Sequence, residues 1–180
     1  TQDNAFRFDP SLLAEGVYTL SVNASDNGNP PLSSTKKVRL RVQAKAPILK
    51  MGVDTDDDGE NDLAEGFADN DQDGVPNYLD ATLATNVIEE QRANAYKYLM
   101  ETHVGLRIRM GAMAMGTGKA ASKLDKAEFI NLTGTPEDTI ENSGGYFDVD
   151  VTDLPVPGQT VEIVVALFNQ IPEQPVYRTL

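Results

Sequence analysis

The 180-residue chain has no cysteine, no tryptophan and a single histidine. Without thiols there can be no disulfide scaffold, no thiolate metal site and no cysteine nucleophile. No run approaches the roughly 18 apolar residues of a membrane-spanning helix, so no part of this segment is expected to insert into a membrane. Lys and Arg are missing from a whole stretch, Lys50 to Arg92, and the net charge is −13. That balance disfavours nucleic acid and anionic membrane surfaces as partners and favours cations. Catalytic signatures are absent too. His103 has no motif partner for a dyad or a metal-bound water, and Ser122 and Ser143 lack a Gly-x-Ser-x-Gly setting. Gly116-Thr117-Gly118-Lys119 lacks phosphate-loop spacing and reads as a turn. The chain is therefore not expected to be an enzyme.

The stretch without basic residues holds thirteen acidic ones: Asp54, Asp56, Asp57, Asp58, Glu60, Asp62, Glu65, Asp69, Asp71, Asp73, Asp80, Glu89 and Glu90. Their number equals the whole net charge, so the rest of the chain is neutral overall. A block of like charge this dense repels itself unless something neutralises it.

Hydrophobic patterning divides the chain into three parts: 1–46, 47–83 and 84–180. In the first, residues 17–22 and 36–42 alternate apolar and polar with the period of a half-buried strand, and the turn-rich 26–31 joins them. Phe6 and Phe8 suggest a short strand before them. Such a set makes at most half a sandwich. Residues 54–80 show no period, and Leu63, Phe67, Val75, Tyr78 and Leu79 look too sparse to build a core. In the third part, residues 106–110, 146–151, 160–168 and 176–180 predict strands. The near-continuous apolar run 161–168 suggests a strand covered on both faces. Tyr96, Tyr98 and Met100 suit another strand, while 86–96 is open between helix and strand. Asp125 and Glu128 have capping-box spacing, with Gly134 as a stop, predicting a short helix. Met110, Met113 and Met115 read as core fillers. The fold expected is mainly β: a partial immunoglobulin-like sandwich, an irregular acidic linker, and a second sandwich-like domain with its own core and a short helix.

The acidic stretch contains two calcium loops in tandem. Residues 54–65 place Asp54, Asp56 and Asp58 at positions 1, 3 and 5 of a twelve-residue loop, Gly59 at 6, Asp62 at 9 and Glu65 at 12. Calcium takes six to eight oxygens at about 2.3–2.6 Å, and alternate residues of a tight loop can converge on it. Glycine permits the sharp turn at position 6, and Glu60 at position 7 would offer its backbone carbonyl. Fifteen residues later the pattern returns: Asp69, Asp71 and Asp73, then Gly74, with Val75 at position 7 and Asp80 at 12. Asp80 is a methylene shorter than Glu65, which predicts a weaker, single-oxygen grip. Random acidic linkers do not place glycine at the same position twice, and magnesium would demand stricter octahedral geometry.

Only Gly66-Phe67-Ala68 separates the loops, too little for the flanking helices of an EF-hand pair. Residues 54–81 instead resemble the bacterial thrombospondin type 3 repeat. That resemblance implies calcium ligands at Asp54, Asp56, Asp58, Asp62, Glu65, Asp69, Asp71, Asp73 and Asp80. Residues 5–44, with Phe6-x-Phe8-Asp9-Pro10, Gly16-Val17-Tyr18-Thr19-Leu20 and Ala24-Ser25-Asp26-Asn27-Gly28, resemble part of a bacterial cadherin-like repeat. The cadherin calcium linker is replaced by Gln43-Ala44-Lys45-Ala46-Pro47, so Asp26 reads as a turn residue. From about residue 94, Gly105-Leu106-Arg107-Ile108-Arg109-Met110-Gly111 and Gly145-Tyr146-Phe147-Asp148-Val149-Asp150-Val151 resemble the choice-of-anchor U domain of bacterial surface proteins. Together these imply an extracellular or cell-surface, calcium-binding adhesion module, with Ca2+ stiffening an acidic linker between β domains. Its partners would be calcium ions and either copies of itself or cell-surface ligands. Two alternatives stay open: the non-catalytic C-terminal region of a secreted hydrolase, and a filament subunit completed by a neighbour's strand.

Overall fold

A computed structural model describes residues 7, 9–91, 98–134, 142, 144–167 and 169–176, without the Gln91 side chain. The architecture is mainly β, built from small antiparallel sheets with few helices. The chain divides into two compact units, Thr1–Ile48 and Leu49–Leu180.

In the first unit, β1 (Gly16–Ser25) and β2 (Ser33–Val42) form an antiparallel hairpin, Gly16 facing Val42 and Ser25 facing Ser33. Both strands extend beyond the alternating cores that predict them. Asp26 closes the connection as the expected turn residue: its Oδ1 accepts from the Gly28 and Leu32 N–H groups at 3.0 and 2.8 Å. Phe6 and Phe8 lie outside the described residues. No described residue of this unit is fully buried.

The second unit holds the core. A three-stranded sheet has the order β3 (Val87–Gln91), β4 (Tyr98–Thr102), β9 (Ile163–Val165). β5 (Arg107–Met110) pairs with β8 (Val149–Thr152), and β6 (Lys123–Leu124) with β7 (Tyr146–Phe147). Alternation on β5 points Ile108 and Met110 inward, where they meet Ile88, Met100, Ala114, Ala120 and Leu124. Backbone bonds knit the small sheets together: Ile108 N–H to the Thr85 carbonyl, Ser122 N–H to that of Glu89, and Asp148 N–H to that of Ser122. The fully buried Glu90 is matched by Lys123 at 2.9 Å.

Helices are short. α1 (Asp62–Glu65) and a 3-10 turn at Asn77–Leu79 each end one acidic loop. α3 (Lys126–Thr133) starts with the full capping box of Asp125 and Glu128 and stops at Gly134 with φ 66°. α2 (Ala112–Thr117) is not foreseen by the pattern; its first-turn N–H groups at Met113 and Ala114 are capped by Asp148 Oδ2 at 2.7 and 3.0 Å.

Three expectations need correction. The run 161–168 yields only the three-residue β9, an edge strand of its sheet with Val164 half exposed, so it is not covered on both faces. Residues 146–151 are two strands rather than one, because the chain changes partner from β6 to β5 at Asp148. Residues 54–80 do contribute to a core: Val75 is fully buried and Leu79 nearly so, within the same cluster as Ile88, Met100 and Ile108. Of the strand expected at 176–180, Val176 is exposed and outside any strand, and 177–180 lie outside the described residues. Of the stretch left open at 86–96, residues 87–91 are strand and 92–96 lie outside the described residues.

Candidate metal centre

The two acidic loops repeat one conformation. At position 6, Gly59 and Gly74 have φ 99° and 96°, a region closed to most side chains. At position 4, Asp57 and Gln72 are left-handed, φ 60° and 63°. Aspartate tolerates this conformation better than glutamine, for which it costs roughly 1 kcal/mol or more. At position 1, Asp54 and Asp69 each accept from the position-6 glycine N–H at 3.1 Å. Asp56 and Asp71 accept from position 5, at 3.3 and 3.2 Å. Asp58 and Asp73 accept from position 7, at 2.7 and 2.6 Å. Position 9 braces both loops to position 2: Asp62 takes the Thr55 N–H and hydroxyl, and Asn77 takes the Asn70 N–H. These bonds orient the carboxylates without using every oxygen.

In each loop the first three aspartates converge, with one carboxylate oxygen of each lying within 4.8 Å of the others: Asp54, Asp56 and Asp58 in one, Asp69, Asp71 and Asp73 in the other. In the second triplet, where Asp71 and Asp73 are buried, like charges this close need a counter-ion or protons. Hydrogen-bond donors do not make up the deficit. Buried oxygens of Glu65, Asp71, Asp73 and Asp80 (one each) have no hydrogen-bond partner. A hard cation is what such an all-oxygen set fits, so the donor set passes the test of chemistry.

Protonation energetics agree. Burial, then the charge of Asp71, pushes the Asp73 carboxyl up to about 9, against the pull of the Val75 N–H. Burial raises Asp71 to about 6 and Asp80 to about 7, and also lifts Asp69. Glu65 rises to about 7 through burial and the charges of Asp56 and Asp58.

The loops differ in depth. In the first, Asp54, Asp58 and Glu60 are exposed and only Asp56 and Asp62 are buried. The second is sunk into the β unit, with Asp71, Asp73, Val75, Asn77, Leu79 and Asp80 all buried. Its backbone is part of that unit's hydrogen bonding. The Asp73 carbonyl accepts from the Met110 N–H at 2.8 Å, and the Asp71 carbonyl accepts from Arg107 Nη1 at 2.6 Å. The second loop also folds back on the short linker before it, through Asn77 N–H to the Ala68 carbonyl and an edge-to-face contact of Phe67 with Tyr78.

Two residues that sequence spacing does not mark belong to this neighbourhood. Arg107, on β5, holds the second loop while its Nε pairs with Asp153 at 3.2 Å. Glu89, on β3, is buried and acts electrostatically on Asp80. Two adjacent glutamates after Val87-Ile88 give no local signal of that burial. His103 is exposed, away from any such cluster. No protein-family model, curated protein or solved structure matches the chain, so these two loops carry the functional reading.

Proposed function

We propose that this chain is a calcium-binding structural module of a bacterial extracellular or surface protein, with no catalytic role. Asp54, Asp56, Asp58 and Glu65 hold one ion, and Asp69, Asp71, Asp73 and Asp80 another. The carbonyls of Glu60 and Val75 complete the shells, and Asp62 braces the first loop. The ions would cancel the repulsion that otherwise opposes folding of the acidic stretch. The likeness to thrombospondin type 3 repeats, and the sandwich character of the two flanking β regions, belong to this proposal.

The observation that carries it is the set of buried carboxylate oxygens without donors in two loops of one conformation. Magnitudes show why a cation is needed. Burying Val75 and Leu79 stabilises by roughly 1.5–3 kcal/mol each. Leaving carboxylates charged and uncompensated in the interior costs several kcal/mol apiece, and the second loop buries three. The apolar contacts alone do not offset this. Open, charged loops of extracellular modules bind calcium at about 10⁻⁴ to 10⁻³ M, so they fill outside cells and stay largely empty inside.

The role thus differs from that of a passive spacer. Calcium at the second loop would stabilise the unit 49–180 itself, because Asp73 and Val75 lie in its core. Calorimetric titration of the chelated protein with calcium tests the proposal: two or more ions bound, with magnesium far weaker, is the expected outcome. No calcium heat and no change in melting would refute it.

A further inference from the structure

The second loop is held by a cation that its own stretch does not contain. No Lys or Arg lies between Lys50 and Arg92, so a basic group that meets either loop comes from elsewhere in the chain. β5 supplies one. Arg107 donates from Nη1 to the Asp71 carbonyl at 2.6 Å and from Nε to Asp153 Oδ2 at 3.2 Å. The guanidinium is a rigid fork, so two partners on different elements fix its plane. Asp153 directly follows β8, at a left-handed φ of 61° that aspartate tolerates, and β8 pairs with β5 through Thr152 facing Arg107. At the other end of β5, the Met110 N–H donates to the Asp73 carbonyl at 2.8 Å. The backbone at positions 3 and 5, which carries two of the proposed ligands, is thus fixed from outside the loop. The first loop is braced locally instead, by Thr55 against Asp62 and by the Asp62 N–H on the Val53 carbonyl.

We propose that Arg107 is a positioning residue for the second calcium site: it holds the Asp71 backbone in its binding conformation before the ion arrives, and so makes this the tighter of the two loops. The inference rests on the calcium reading above and adds to it a residue outside both loops and an order of filling. Two effects of a nearby cation oppose each other. A guanidinium beside the site repels calcium, but Arg107 is already paired with Asp153, and a neutral pair repels weakly. Fixing the loop in advance removes an ordering cost that binding would otherwise carry, which raises affinity. Position outweighs charge here, because the Nη1 bond goes to a main-chain carbonyl and takes no carboxylate oxygen from the ion.

Calorimetric titration of the full chain with calcium tests it, in the intact chain and in one whose first loop is silenced by Asp54→Asn with Asp58→Asn, both at exposed positions. The single affinity left in the silenced chain identifies the second loop. Arg107→Met should weaken that affinity by roughly tenfold, the contribution of one charge-assisted hydrogen bond, and leave that of the first loop unchanged. Arg107→Lys, which keeps the charge but not the fork, should weaken it by less. An unchanged or tighter second-loop affinity in Arg107→Met, or equal losses at both loops, would overturn the role of Arg107 while leaving the two-loop reading intact. No calcium bound by the wild type would overturn both. Should Arg107→Met fail to fold by circular dichroism, Arg107→Lys decides: a loss confined to the second loop supports the role, and wild-type affinity overturns it.

Discussion

Replacing Asp73 with asparagine should stabilise the chelated protein and lose most or all of that advantage in calcium. Asp73 is fully buried, accepts from the Val75 N–H at Oδ1 at 2.6 Å and has no donor for Oδ2. Burial and Asp71 push its pKa up to about 9, whereas an unfolded aspartate titrates at 3.8. In chelator at pH 7.5 the folded chain must therefore keep this group protonated. At ~1.4 kcal/mol per pH unit over nearly four units, the penalty has a ceiling of ~5 kcal/mol. Loop relaxation and water entry lower it to ~2–3 kcal/mol. Asparagine retains the acceptor for Val75 and needs no proton, and its amide can donate to neighbouring carboxylates. Asp73→Asn should thus stabilise the chelated protein by about 2–3 kcal/mol. In saturating calcium most or all of that gain is offset. A bound ion at about a hundred times its Kd adds ~2.7 kcal/mol, and losing a charged ligand removes ~1–3 kcal/mol of that. Urea unfolding in EDTA and in calcium, followed by circular dichroism, measures both. An equal loss in both conditions would show that Asp73 is only a packing residue and would refute the reasoning.

Further predictions concern pH and the two loops. Without metal, Asp71, Glu65, Asp80 and Asp73 titrate near 6, 7, 7 and 9, all above their unfolded values. Their protonation supports the fold fully below about pH 4, and that support is lost as pH rises through 6 to 9. Urea midpoints in chelator should fall across this window, while calcium affinity should rise as the same protons are displaced; flat profiles would contradict both. Val75→Ala should cost ~1–2 kcal/mol in the β unit by leaving a cavity, whereas Leu63→Ala, at a side chain 51% exposed, should cost under ~0.5 kcal/mol. Equal melting shifts would place the second loop outside the core. Arm length alone would make Asp80 the weaker position-12 ligand. Its burial in the β unit outweighs that, so Asp80→Asn should weaken calcium binding more than Glu65→Gln, as read by calorimetry.

The loops were legible because their chemistry is local. Ligand spacing, the glycines at position 6 and the repeat after fifteen residues all lie within one short stretch. The hairpin and α3 were legible for the same reason, one from alternation and the other from its capping box. What escaped is what distant residues decide. Val75 and Leu79 look isolated in sequence, but Met110 and Ile108 arrive from β5 to cover them. The α2 segment Ala112-Met113-Ala114-Met115 has no cap of its own, because Asp148 supplies it from more than thirty residues away. The same aspartate marks the switch of partners that splits the expected strand at 146–151. Glu89 read as one more charge of the acidic run, since nothing local distinguishes a buried carboxylate from a solvated one.

The central claim is that calcium fills these loops and thereby holds the β unit that contains them. Hydrogen exchange followed by mass spectrometry, with calcium and with chelator, tests it most directly. The Met110 amide bonds to the Asp73 carbonyl, and Arg107 to that of Asp71. Calcium should therefore slow exchange in residues 69–80 and 107–110 together, while the hairpin of residues 16–42 exchanges at an unchanged rate. Protection confined to 54–80, or none at all, would contradict the account.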